Sequence, residues 1–170
     1  MSLSIAALNQ LDDEAFITAL GGIFEHSPWV PAAVLEQRPF ASRAALETAM
    51  AAVVEHAPHE DRLALICAHP VLGGEAAVEG RLGTASTQEQ HAAGLDHCTP
   101  EEFAELAALN GRYLERFGFP FVLAVRGHDP ASVIAELQRR LAQDKASEVV
   151  ENLRQIERIA SLRLQALISD

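Results

Sequence analysis

Thr99-Pro-Glu-Glu-Phe-Ala-Glu-Leu-Ala-Ala-Leu-Asn-Gly-Arg-Tyr-Leu-Glu-Arg-Phe-Gly118 reads as one complete helix with both ends marked. Thr99 and Glu102 have the spacing of a capping box, in which hydroxyl and carboxylate satisfy amides of the first turn that have no partner within the helix. Pro100 occupies the first helical position, where its fixed φ fits and its missing N–H costs nothing. Gly118 supplies the stop. Working outward, Asp129-Pro130 repeats the start signal, and a last long helix runs from about Ala146 to Ile168. Upstream, Asp12 or Asp13 caps a helix to about Glu25, and Ser27-Pro28 opens a short second one. Ser42 caps a third from Arg43 to Ala57, with Leu46, Met50, Val53 and Val54 on one stripe. A fourth runs from about His59 to Ala68 and stops there, because Pro70 disfavours helical geometry in the residue before it.

Gly73-Gly74 and Gly80 punctuate a looser region. Phe119-Pro-Phe-Val-Leu-Ala-Val125 is the one strand-like run. With no partner run elsewhere, it reads as buried extended chain or helix. The expected fold is all-α: one domain over residues 1–170, a bundle of roughly eight helices.

The chain has 170 residues, a hydrophobic fraction of 49% and aromatics at only 5%, so a packed core is expected throughout. No apolar run approaches the roughly 18 residues of a membrane span. Met1-Ser2-Leu3-Ser4-Ile5 lacks the basic region of a signal peptide, and Leu167-Ile168-Ser169-Asp170 matches no sorting tail. Two cysteines, Cys67 and Cys98, make no disulfide framework, which suits a reducing cytoplasm. The net charge of −11 opposes nucleic acid and anionic membranes as partners. It leaves room for a small anionic substrate, provided its site is built locally from an arginine, a histidine or a helix N-terminus.

Three places can carry chemistry. His69 ends an apolar helix; it reads as a helix-end residue, or as a proton-transfer group that Pro70 holds rigidly. Ser86-x-x-Glu89 reads as a second capping box, or as polar groups turned with Gln90 toward a ligand. Arg163 falls about 20° from Ile156 on the helical wheel, at the edge of the apolar stripe that Ile156, Ala160 and Leu167 form with Val149 and Leu153. Arg154, Arg158 and Gln165 point away. An inward arginine needs an ion pair or a bound anion, or must snorkel to water; a carboxylate clamp is the sharper reading. His91, His97 and Cys98 are ligand types, but a six-residue spacing separates the two histidines on any helix, so no metal is expected. No glycine-rich nucleotide motif occurs.

Several short motifs follow one another in a characteristic order: Pro28-Trp29-Val30, Arg38-Pro39-Phe40, His69-Pro70 with Leu72-Gly73, Ser86-x-x-Glu89-Gln90, Ala93-Gly94-Leu95, Asn110-x-x-Tyr113, Phe117-Gly-Phe-Pro-Phe121 and Leu162-Arg163-Leu164. Together they resemble the family of 2-oxo-4-hydroxy-4-carboxy-5-ureidoimidazoline (OHCU) decarboxylase, over nearly the whole chain. The resemblance implies a homodimeric, cytoplasmic carboxy-lyase of urate degradation that forms (S)-allantoin without metal or organic cofactor. It links the chain functionally to urate oxidase and 5-hydroxyisourate hydrolase. It implies His69 and Glu89 as the catalytic pair. Pro70, Ser86, Gln90, Phe121, Val122 and Arg163 would bind the ureidoimidazoline, with amides near Phe121 and Val122 holding its anionic ring. Two positions depart from the pattern: Val71 stands where an acidic residue is implied, and Glu75 where a basic one is common. A hydrolase of the same pathway and a non-catalytic helical interaction module are the rival readings; carbon dioxide release and turnover separate them.

Overall fold

The computed structural model describes residues 3–74 and 82–170; Glu75 and Gly80 lie outside them. Among the described residues the fold is all-α, with nine α-helices against the eight or so expected. A two-residue parallel pairing of Leu3-Ser4 with Ile168-Ser169 is the sole sheet there. The helices are α1 (Ile5–Asn9), α2 (Asp13–Leu20), α3 (Trp29–Ala33), α4 (Arg43–His56), α5 (His59–Ala68), α6 (Thr84–Ala92), α7 (Pro100–Phe117), α8 (Pro130–Arg140) and α9 (Lys145–Leu167). None is long and apolar enough to cross a membrane. The chain divides into two compact units, Met1–Ala68 with Glu157–Asp170, and His69–Ile156.

In the first unit the helix starts follow the sequence signals. The side chains of Ser4, Asp12 and Ser42 each accept from the amide three residues on, which satisfies donors the helix cannot. α4 buries Leu46, Met50 and Val54 and leaves Val53 half-buried, so its stripe stands. α2 ends at Leu20, five residues short of the expected Glu25. Gly21-Gly22 follows, and glycine costs about 1 kcal/mol in a helix; the chain turns until Trp29. Arg38-Pro39-Phe40 is a structural motif. Arg38 donates to the Leu11 carbonyl at 2.8 Å, pairs with Asp13 and covers the Phe16 ring at 4.9 Å. The Asn9 amide brackets the Phe40 backbone, donating to its carbonyl at 2.8 Å and accepting its N–H at 2.9 Å.

In the second unit α7 has the start and stop read from the sequence. Thr99 and Glu102 form both bonds of the capping box, and Gly118 ends the helix at φ 81°. Asp129 caps α8 in a second box, closed by Ser132. Tyr113, Phe117, Phe119 and Phe121 make an aromatic cluster, with Tyr113 at 4.6 to 6.2 Å from the other three ring centres. α9 begins in the second unit and ends in the first; along it Leu153, Ile156, Ala160 and Arg163 are buried, while Arg154, Arg158 and Gln165 are exposed, as the wheel requires.

Candidate active site

The second unit begins with the loop that carries His69. α5 ends at Ala68, as Pro70 dictates, and His69 follows it buried, at 7% exposure. Two side chains hold what comes next. Asn110 of α7 donates to the Leu72 carbonyl at 3.0 Å, and the Gly73 amide donates to Gln90 Oε1 of α6 at 2.9 Å. Gly73 has φ +62°, and an added Cβ would meet Leu106 Cδ2 at 2.4 Å. Only glycine fits both the conformation and the space. The loop is therefore fixed at its far end, four residues after the histidine. Val71, in the position where an acidic residue was expected, is exposed.

α6 settles the reading of Ser86-x-x-Glu89. The helix starts at Thr84 with Gly83 at its cap, so Ser86 lies inside the first turn and is not the capping residue. That removes the capping-box alternative. Ser86 and Gln90, four apart, share the buried face at 4% and 3% exposure, and Glu89 is half-buried beside them. Because Gln90 Oε1 accepts from Gly73, its Nε2 is the group turned the other way. That nitrogen is buried and has no hydrogen-bond partner among the described residues. A buried donor left so costs on the order of 1–3 kcal/mol, which a ligand acceptor would recover.

Phe121 and Val122 are buried at 1% and 3% in a segment that is neither helix nor strand, as read from its lack of a partner run. A sheet would occupy its backbone groups; side chains do so here. The Val122 amide donates to Asn152 Oδ1 at 2.9 Å, and its carbonyl accepts from Arg140 Nη1 at 2.6 Å. Asn152 also donates to the Pro120 carbonyl at 3.3 Å, and the Ala124 amide donates to Gln155 at 3.0 Å. Arg140 is fully buried. It donates to Glu148 from Nε at 2.9 Å and to Asn152 from Nη2 at 2.6 Å, and it lies 4.6 Å from the Phe121 ring centre. Tyr113 donates its hydroxyl to Glu148. Burial pushes that phenol above its ordinary range, and the bond to the Glu148 carboxylate adds to the shift. The Val122 amide, expected to hold the anionic ring, is thus already used by Asn152.

Arg163, in the first unit, is buried at 8% as the wheel implied. Its Nη1 donates to the Glu25 carboxylate at 3.0 Å and to the Gly22 carbonyl at 2.9 Å. The early end of α2 makes this contact available, since it leaves Gly22 and Glu25 in a turn. The ion-pair reading of Arg163 therefore holds, with Glu25 itself buried at 7%.

The model of the OHCU decarboxylase family matches residues 9–165. The chain belongs to the OHCU decarboxylase family. It is 40% identical to the 2-oxo-4-hydroxy-4-carboxy-5-ureidoimidazoline decarboxylase of Haloferax volcanii, over 95% of this chain and 94% of that protein. It is 37% identical to the uric acid degradation bifunctional protein of Bacillus subtilis, over 96% of this chain but 32% of that protein's length. Among solved structures, the crystal structure of (S)-allantoin synthase matches with a TM-score of 0.79 and 29% identity, over 98% of this chain and 54% of the other.

Seen as an OHCU decarboxylase-family chain, several motif residues acquire structural roles. Asn110 and Gln90 fasten the loop after His69-Pro70, and Tyr113 anchors the polar cluster under Phe119–Val125. Four residues escaped the sequence reading: Arg140, Glu148, Asn152 and Glu25. Three of them left a signal. Arg140 continues the buried row Val133, Ile134 and Leu137 of α8, and Glu148, Asn152 and Ile156 are spaced by four on α9. Glu25 left none, because the sequence pattern continues the helix to it while α2 ends at Leu20.

Proposed function

We propose that this chain decarboxylates OHCU to (S)-allantoin in urate degradation, with His69 and Glu89 as the catalytic pair. The observation that carries the proposal is the Gly73–Gln90 bond. It fastens the His69 loop to the α6 face that bears Ser86 and Gln90, and it leaves the buried Gln90 Nε2 as a donor for a ligand acceptor. In the reaction the bond from ring carbon to carboxylate breaks, and carbon dioxide leaves. The electron pair passes into the adjoining unsaturated ring, and one proton returns to a ring carbon. His69 holds and returns that proton from a single face, which sets the enantiomer. Glu89 orients the imidazole and polarises the substrate hydroxyl. Ser86 and Gln90 read the polar edge of the ring. Pro70, Phe121 and Val122 form walls, with Val122 contributing its side chain. The substrate supplies its own electron sink, so no organic cofactor or metal is needed for this chemistry.

Arg163 clamps the substrate's anionic group, with Glu25 and Gly22 fixing the guanidinium plane. An Arg163→Lys variant keeps the charge but loses the planar fork. Its KM is expected to rise about 10- to 100-fold with kcat little changed, as befits one charged hydrogen bond. An unchanged KM with a lowered melting temperature would assign Arg163 to the Glu25 ion pair alone.

We read residues 1–170 as one domain, in a homodimeric cytoplasmic protein whose substrate comes from urate oxidase and 5-hydroxyisourate hydrolase. Likeness to a bifunctional protein of uric acid degradation supports the pathway. The test is circular dichroism of freshly generated OHCU with and without the protein. Carbon dioxide release with a single-handed allantoin signal is expected. A racemic product at the spontaneous rate would reject the assignment, and turnover without carbon dioxide would favour the hydrolase.

A further inference from the structure

His91, Asp96 and His97 converge at the C-terminal end of α6, although the spacing of the two histidines spoke against it. Residues six apart are kept separate only within a helix, and α6 ends at Ala92. Gly94, at φ +71°, turns the chain back, a conformation glycine adopts without strain. The turn is closed by its own backbone. The Gly94 amide donates to the His91 carbonyl at 2.9 Å, Leu95 to Gln90 at 3.0 Å and His97 to Gly94 at 3.1 Å. Ala93 and Leu95 are buried at 4% and 1%, so the turn is pinned to the core while its polar side chains face water. His91 Nδ1 lies 2.6 Å from one Asp96 oxygen and His97 Nδ1 lies 2.8 Å from the other. A ligand atom from each residue lies within 4.8 Å of the other two, and this is the only such trio of ligand types among the described residues.

We propose that His91, Asp96 and His97 form a surface site for a divalent first-row transition metal. Two imidazoles and one carboxylate are the donor set that zinc and its neighbours prefer. Tetrahedral ligands at about 2.1 Å stand roughly 3.4 Å apart. Small rotations of three surface side chains on a fixed turn bring these donors to that spacing. The ion enters between the imidazoles and the carboxylate, and each ring that coordinates through Nδ1 carries its proton on Nε2. Three protein ligands leave one position for water. Cys98, the third candidate in the sequence, is not a ligand: its thiol donates to the Leu95 carbonyl at 3.4 Å. A net charge of −11 favours cation uptake.

The test is calorimetric titration of the chelator-treated full chain with zinc sulfate. One site per chain is expected, weakened at least tenfold by His91→Ala, His97→Ala or Asp96→Asn and unchanged by Cys98→Ser. Cobalt in place of zinc should give visible absorption without a thiolate charge-transfer band. Equal zinc uptake by wild type and the His91→Ala/His97→Ala double variant would overturn the site. So would loss of uptake in Cys98→Ser alone, or no uptake at 100-fold excess metal. Far-UV circular dichroism checks that these surface variants keep their helices.

Discussion

A His69→Ala variant is expected to lose enantiospecific formation of allantoin, with kcat/KM falling about 10²- to 10⁴-fold, the range that one positioned acid-base group supplies. The residue is buried yet sits on a loop whose geometry is set elsewhere, by Pro70, by Gln90 on Gly73 and by Asn110 on Leu72. Removing the imidazole therefore leaves its frame standing. The measurement is the circular dichroism of allantoin produced from fresh OHCU, read beside far-UV spectra and a thermal melt. Because the substrate also decays unaided, residual product should be racemic, whereas wild-type product is single-handed. A folded variant that still makes one enantiomer at near wild-type rate would remove His69 from the proton-transfer role. His69→Asn is the second probe: it keeps a polar side chain but no acid-base group, so it should fail as His69→Ala does if protonation is the role. Activity in His69→Asn but not in His69→Ala would make the residue a structural hydrogen-bonding group.

Local chemistry is what made the helices legible. Thr99-Pro100, Asp129-Pro130, Ser42 and Asp12 announce starts that need nothing from the rest of the chain, and each is a cap in the structure. The same rule misled at Ser86, where the spacing of a capping box occurs inside a turn that starts two residues earlier, at Gly83-Thr84. Both patterns put a hydroxyl and a carboxylate three apart, and only the position of the first helical residue separates them. Arg163 was legible as an inward residue because burial on a long helix follows its period. Its partner Glu25 was not, since the contact joins residues 138 apart and depends on α2 ending early. The convergence of His91 and His97 is hidden for a related reason: helical spacing does not extend across Gly94, whose φ of 71° turns the chain after α6 ends.

The second large effect is expected from Arg140→Met, a substitution outside the proposed catalytic pair that touches Val122 and Phe121. Arg140 is fully buried and Glu148 is 1% exposed, so the methionine would strand a carboxylate in the core. Breaking such a pair from one side costs about 3–5 kcal/mol. For a chain of this length that corresponds to a drop in melting temperature of about 6 to 20 °C. Arg140 also supplies a bond to the Val122 carbonyl at 2.6 Å and one to Asn152 at 2.6 Å, so the loss extends to the segment that has neither helix nor sheet to hold it. The double variant Arg140→Met/Glu148→Leu separates these contributions. It removes the stranded charge, and replacing a whole buried ion pair by apolar groups is often nearly neutral. Recovery of most of the lost stability would identify the charge as the main cost. If the double variant stays as unstable as the single one, the cost lies in the released contacts to the Val122 carbonyl and the Asn152 side chain, and Arg140 is then the clamp of the Phe119–Val125 segment. A single variant that melts within about 1 kcal/mol of wild type would contradict both accounts, because a fully buried guanidinium with four partners cannot be exchanged for a thioether at no cost unless water reaches Glu148.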